Sequence, residues 1–311
     1  MRASLQLVDV MHDISILDDL HSEIDVNFCY NAVVHGFWCQ IWAFRESWKL
    51  HAIGDRRDSV HRLWLVTQQR EVYRQVEAFG QSLLGIGVPV PELLIMIELQ
   101  LMILHVSPEE LQRFAGKYGE EAASQAIVSL ERWWSTEHAR SAVWHAGQVF
   151  RWAAEMPTAE LRDFYAIAVY FASLALWAFG HLSKSRDTAN DRRTRNDRAS
   201  LEADRNNNST FLIVNTGEVT SPSSFIAGRP TVPVLLPGVS KMDIRDPESH
   251  NRLVRLDDPN AVLQVARELY RSNFPIDGEP LPPLVENMGN LMRDLGVQPE
   301  SRFSRCVSPM E

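Results

Sequence analysis

Side chains able to do chemistry are densest between Thr136 and Trp152, where His138, Arg140, Trp144, His145, Gln148 and Arg151 fall within one helix-length of chain. Two histidines on one helical face, His138 and His145, raise the question of a bound metal ion. The spacing argues against the metal, because seven residues span about 10.5 Å of helical rise, too far for both rings to ligate one ion directly. His145 is therefore read as a packed or hydrogen-bonded histidine. Paired carboxylates occur twice. Asp18-Asp19 lacks the further acid at four-residue spacing that a metal–diphosphate site on a helix needs, and Asp257-Asp258 reads as a helix start. Cys29 and Cys39 flank Tyr30 and Trp38 in apolar surroundings, where a thiol is usually inert. The sequence holds no Gly-x-Ser-x-Gly elbow, phosphate-cradling glycine loop or His-Glu-x-x-His. No active site is read from it.

The element carrying the first group is a helix with a small-residue face. Ala139, Ala142, Val143, Ala146, Phe150 and Ala153 recur at offsets of three and four, and Arg140, Trp144, Gln148 and Arg151 recur on another face. Thr136 caps its start. Before it, Pro91 opens an apolar run from Glu92 to Leu104, read as a buried helix, and Ser107-Pro108-Glu109-Glu110 reads as a capping box opening the next. Gly116-Lys117-Tyr118-Gly119 breaks that run, and Glu120 to Trp134 resumes it. Residues 1 to about 80 read as helical but untidy, with a polar turn at Gly54-Asp55-Arg56-Arg57-Asp58. Met156-Pro157-Thr158 ends the central helix, and Thr158 is expected to cap another that continues to Leu182. Tyr165 to Leu182 is 18 residues without a charge, the lower bound for a membrane span, but its Ala, Ser173 and Gly180 content favours a buried core helix.

Composition changes after His181, and from Ser183 to Asn208 aromatic residues vanish. From Ser183 to Asn208 arginines interleave with acids at near neutrality, which reads as a solvated, disordered insert. Phe211 to Asp246 reads as an extended loop spaced by Pro and Gly. Asp258-Pro259 then opens a helix facing inward with Val262, Val265, Ala266 and Leu269. Pro282-Pro283 opens another with Leu284, Met288, Leu291, Met292 and Leu295 inward and Gly296 as its stop. The expected organisation is an all-α, multi-helix regulatory domain over 1–182, a disordered or extended insert over 183–250, C-terminal helices packing back on the core over 251–298, and a tail over 299–311.

Composition narrows the function classes. The balance of 31 basic against 40 acidic side chains, a net charge of −9, repels phosphate and argues against a general nucleic-acid binder. Three cysteines without Cys-x-x-Cys spacing supply neither a disulfide framework nor a zinc-binding finger and suit a reducing compartment, cytoplasm or nucleus. Met1-Arg2-Ala3-Ser4 does not open a signal peptide.

Several segments, in order, resemble a known family: Leu111 to Ala122, Ala139-Arg140-Ser141-Ala142-Val143-Trp144-His145-Ala146-Gly147-Gln148-Val149, Leu161 to Ala166, Leu176 to Gly180, and Glu286 to Gly296. Together they look like the helical regulatory domain of fungal transcription factors, which carry Cys2His2 or Zn2Cys6 fingers ahead of it. The resemblance covers residues 84–182 and 258–296; residues 1–83 match the family poorly, and the finger ligands have no counterpart here. It implies the regulatory or effector portion of a nuclear regulator of RNA polymerase II transcription, truncated of its DNA-binding segment. It also implies that the chain is not an enzyme. Partners would be transcription machinery or regulatory proteins, a homodimer is allowed for, and no membrane is involved. DNA and zinc would be bound only by the missing finger segment, with no cofactor in this chain. Arg140, Trp144, His145 and Gln148 are the family-motif positions, read as packing residues. The rival readings are an α-helical enzyme of the cyclase type and a helical protein-interaction scaffold.

Overall fold

A computed structural model describes residues 6–13, 16–17, 25–53, 59–85, 90–194, 212–213, 234–237, 253–274 and 280–297. The fold is all-α. Ten α-helices are found among these residues, with three short strands in the second half. The chain divides into two compact units, residues 1–104 and 105–311, where the sequence suggested one helical domain to residue 182. The division falls at the end of a helix, where no change of composition signals it.

In the first unit, α1 (Leu7–His12) lies on a pair of long helices, α2 (Val26–Ile53) and α3 (Ser59–Gly85). The two run antiparallel: His51 and His61 are 5.0 Å apart at one end, and Tyr30 and Phe79 are 6.3 Å apart at the other. Tyr30, Val33, Val34, Phe37, Ile41 and Phe44 of α2, and Leu65, Val72, Val76, Phe79 and Leu83 of α3, are buried at alternating three- and four-residue steps. This regularity sits where the sequence read as untidy. Phe28, Trp42 and Leu50 on α2, and Val60, Leu63 and Trp64 on α3, are exposed and blur the period. The polar turn expected at 54–58 lies outside the described residues. The fourth helix, α4 (Pro91–His105), is buried on nearly every side, as its continuous apolar run predicts. Its last carbonyls lack helical donors and take side-chain donors instead. Gln69 Nε2 donates to Leu104 O at 2.6 Å and Arg45 Nη1 to Ile103 O at 3.3 Å, while Gln100 Nε2 of α4 donates to Val34 O at 2.8 Å.

The second unit is built around α8 (Asp163–Thr194), against which α5 (Pro108–Phe114), α6 (Glu120–Trp134), α7 (Glu137–Ala154), α9 (Pro259–Asn273) and α10 (Pro283–Val297) pack. Ala166, Ala168, Ala172, Ala175, Leu176, Trp177 and Ala178 of α8 have no exposed surface. Across the apolar window of Asp163–Lys184, long enough by composition to cross a membrane, 72% is buried, which is what a core helix requires. Between α8 and α9, β1 (Leu212–Ile213) pairs parallel with β2 (Val234–Pro237), and β2 pairs antiparallel with β3 (Leu253–Arg255). Strand β3 leads to Leu256, whose carbonyl oxygen presses on Gly180 of α8 so closely that a methyl group there would collide with it.

Several local expectations are met and others corrected. Ser107 caps α5 by accepting from Glu110 N at 3.4 Å, but the Glu110 carboxylate takes the Ser129 hydroxyl at 2.8 Å rather than closing a capping box. Gly116 and Gly119 both hold positive φ, 90° and 91°, and break the chain between α5 and α6. Thr158 caps nothing, and α8 starts at Asp163. The intervening loop is captured by Asn273, the buried last residue of α9. Its Nδ2 donates to Met156 O at 3.2 Å and Pro157 O at 2.9 Å, its Oδ1 accepts from Leu161 N at 2.9 Å, and its backbone carbonyl accepts from Ala159 N at 2.8 Å. These bonds hold Ala159 at φ 65°, in the left-handed region an alanine otherwise avoids. At its other end α8 continues through residue 182 to Thr194, into the expected insert, because no Gly or Pro stands between Ser183 and Arg198 to stop it. Residues 195–211 lie outside the described residues. Strands β1 and β2 replace part of the expected extended loop, and β3 lies in the segment expected to be helical. Asp258 caps α9, accepting from Ala261 N at 3.1 Å. In α10, Leu291 is 48% exposed, and Gly296 lies inside a helix that runs to Val297 instead of ending it.

Two substitutions test these ties. Asn273→Ala should lower the unfolding free energy by about 2–4 kcal/mol in urea titrations, since it strands buried backbone groups of the 156–161 loop. A loss under about 1 kcal/mol would mean the loop is held by something else. Gly180→Ala should cost about 1–3 kcal/mol by forcing α8 away from Leu256, and an unchanged midpoint would show that the contact yields freely.

Candidate functional site

The sequence-predicted positions all lie on α7. Its start is set by Thr136, whose hydroxyl accepts from Ala139 N at 3.4 Å and donates to Trp133 O at 2.6 Å. Ala139, Ala142, Val143, Ala146, Val149 and Ala153 are buried, and α8 is the helix that α7 contacts most extensively. Small side chains on both helices let the two backbones approach closely, so the larger residues between them are enclosed.

Enclosure reaches the polar positions too. Arg140, Trp144, His145 and Gln148 are at most 8% exposed. Every residue from Ala139 to Phe150 is buried, where a polar face was expected beside a packing face. Gln148 Oε1 accepts from Arg151 Nη1 at 3.3 Å, and the Arg151 guanidinium lies over the Trp152 ring, 4.3 Å from its centre. A positively charged group thus closes the C-terminal end of α7, where the helix dipole favours it.

His145 has a neighbour that the sequence does not reveal. His105, the last residue of α4, stacks on it with ring centres 6.2 Å apart and planes 6° from parallel. The same His105 meets His138, with Nδ1 to Nδ1 at 2.9 Å. Trp133 Nε1 donates to the His105 carbonyl at 2.9 Å. His105 thus contacts both His138 and His145, which stand seven residues apart on α7. Thirty-three residues separate His105 from His138 in the chain; its position at the end of an apolar run was the only available signal.

The geometry suits hydrogen bonding rather than ligation. In the His105–His138 contact one nitrogen donates and the other accepts, so the two cannot both be fully protonated. Among the described residues no three His, Cys, Asp or Glu side chains converge to hold a metal ion. His105 Nε2 is sealed from solvent, and burial first, then the neighbouring His145 and His138, holds the His105 pKa well below the ordinary imidazole range.

Open space lies elsewhere in this unit. A cleft of about 440 Å³ is lined by Glu109, Arg113, Tyr118, Ala122 and Gln125 of α5, α6 and the turn between them, and Arg113, Tyr118 and Ala122 belong to the Leu111–Ala122 segment. It offers one carboxylate beside one guanidinium on an exposed surface.

No family model matches this chain, and no curated protein or solved structure matches it either. The likeness to fungal regulators therefore stands on the quoted motif residues alone.

The low pKa of His105 gives a pH dependence of stability. The folded state keeps the ring neutral, while the unfolded chain binds a proton below about pH 6.5. The resulting stability is whole above that pH and is lost as pH falls from it toward the folded pKa, with a slope of up to about 1.4 kcal/mol per pH unit. Urea unfolding between pH 5 and 8 should show this fall, and His105→Gln should flatten it. An equal slope in wild type and variant would place the acid sensitivity in other groups.

Proposed function

We propose that this chain is the regulatory portion of a fungal zinc-finger-type transcription factor, acting on RNA polymerase II transcription in the nucleus by binding other proteins. The observation that carries this reading is the enclosure of Arg140, Trp144, His145 and Gln148. A reaction centre must leave its reactive groups open to a substrate, whereas these four are closed in on every side. The motif thus describes how a helical body packs, and such a body acts through its surface. Phe28, Trp42, Leu50, Val60, Leu63 and Trp64 supply apolar side chains on that surface. In this reading DNA contact and zinc belong to a finger segment outside these residues.

The scaffold alternative draws on the same exposed side chains and differs in its readout. The cyclase alternative calls for Asp or Glu pairs converging on a deep apolar pocket; the α5–α6 cleft, with Glu109 beside Arg113, lends it little.

Tethering separates these readings. The 311-residue chain fused to an unrelated DNA-binding domain should change expression of a reporter carrying that domain's site several-fold, and should accumulate in the nucleus. A folded, nuclear fusion that leaves the reporter unmoved would contradict a regulatory role and favour the scaffold.

A further inference from the structure

The last two helices of the second unit close on each other with arginines along one flank. Near the start of α9, Asn260 and Leu263 lie against Gly296, near the end of α10. A Cβ at Gly296 would stand 3.5 Å from Asn260 Oδ1 and 3.8 Å from Leu263 Cδ1. Since the start of one helix meets the end of the other and the two pack along their length, they run antiparallel. Each turn forward along α9 therefore matches a turn back along α10. From Leu263, successive steps of four residues lead to Arg267 and Arg271, which share its side of the helix. Going back from Gly296, steps of three and four lead to Arg293 and Gly289. Gly289 looks across at α9 with space to spare, because a Cβ there would meet nothing within 4 Å. The groove is thus open at Gly289, with Arg267 and Arg271 on one wall and Arg293 on the other.

The acids of the two helices leave these cations largely uncompensated. Arg267 is half-buried, and Arg271 and Arg293 are exposed. Among the described residues neither Arg267 nor Arg271 forms an ion pair; Arg267 Nη1 donates instead to Gln264 Oε1 at 3.2 Å. Glu268, about 100° round the helix from Arg267, accepts from Gln264 Nε2 at 2.9 Å. Asp294 lies 3.7 Å from Arg293 Nε with both side chains more than half exposed, a loose surface pair. Glu286 stands in the first turn of α10, two turns from Arg293. Burial first, then Arg271 and Arg293, hold the Arg267 pKa below the ordinary guanidinium value, with Glu268 opposing them. In a chain of net charge −9, like charges gathered round an open space favour an anion that joins them.

We propose that Arg267, Arg271 and Arg293 bind a phosphate monoester in the recess over Gly289. Such a group carries about −1.5 to −2 charges at neutral pH and three oxygens that accept from several guanidiniums at once. A carboxylate has two oxygens and a single charge, too few for three guanidiniums. Glycine at 289 leaves the recess free where a side chain would fill it. The inference goes beyond the regulatory reading and does not rest on it.

The test titrates the full chain with inorganic phosphate, with a peptide bearing one phosphoserine, and with the same peptide bearing glutamate in its place. Amide spectra should show binding of a phosphate ligand at residues 264–271 and 286–293, weakening as salt is raised. Arg271→Gln with Arg293→Gln, both at exposed positions, should weaken it by about tenfold or more. Gly289→Asp sets a carboxylate in the open recess and should weaken it as much while far-ultraviolet dichroism stays helical, so either variant decides if the other fails to fold. Equal affinity for phosphate and phosphopeptide assigns the site to the free anion, and tighter binding of the phosphopeptide assigns it to a phosphorylated side chain. The proposal is overturned if neither phosphate ligand binds at millimolar concentration. It is equally overturned if the glutamate peptide binds as tightly as the phosphoserine one, or if the variants leave the affinity unchanged.

Discussion

Two helices lined by alanine and glycine can lie closer together than helices lined by leucine, and the gain is dispersion contact between backbones rather than between side chains. The second unit depends on that closeness. Ala139, Ala142, Ala146 and Ala153 line one face of α7, and α8, the helix it contacts most extensively, buries Ala168, Ala172 and Ala175 along one of its own faces. Once the two backbones are close, the large and polar residues of α7 have nowhere open to go. Arg140, Trp144, His145 and Gln148 are carried into the interior, and their surroundings must accommodate them. The Leu256 carbonyl against Gly180 repeats the device farther along α8, where the chain returns from β3 to α9. Asn273 completes the assembly by tying the end of α9 to the loop that feeds α8.

Much of this could be read in the residues before the fold was known. The caps at Ser107, Thr136 and Asp258, the glycine break at Gly116 to Gly119 and the core role of the uncharged run to Leu182 all depend on local chemistry, which short windows contain. What failed depends on contacts distant in sequence. Thr158 is a sound cap by type, yet Asn273, more than a hundred residues later, takes that loop for itself. His105 could not be joined to His138 and His145, because one turn of chain between α4 and α5 decides that they meet. Arg140, Trp144, His145 and Gln148, read from the sequence as packing residues, are buried, although periodicity alone cannot tell a solvent face from a second buried one. In α2 the opposite held. Phe28, Trp42 and Leu50 are apolar by type yet exposed, and they interrupt the buried line of Tyr30, Val34, Phe37, Ile41 and Phe44.

The two units thus present two kinds of information. In the second, the motif that carries the likeness to fungal regulators is internal, and it specifies a packing arrangement. In the first, apolar side chains stand outside, among them Phe28, Trp42 and Leu50. His105 adds a sensitivity of its own, because burial first, and its two neighbouring imidazoles after it, hold its ring neutral.

The central claim is that Ala139 to Phe150 forms the sealed centre of the second unit, and native-state hydrogen exchange tests it most directly. Amides of α7 and of α8 between Ala166 and Gly180 should be among the slowest in the chain and should exchange together, with the free energy of global unfolding. Exchange of α7 as rapid as that of the outer helix α10, with α8 still protected, would contradict the account, since the motif would then lie at a surface that opens without the core.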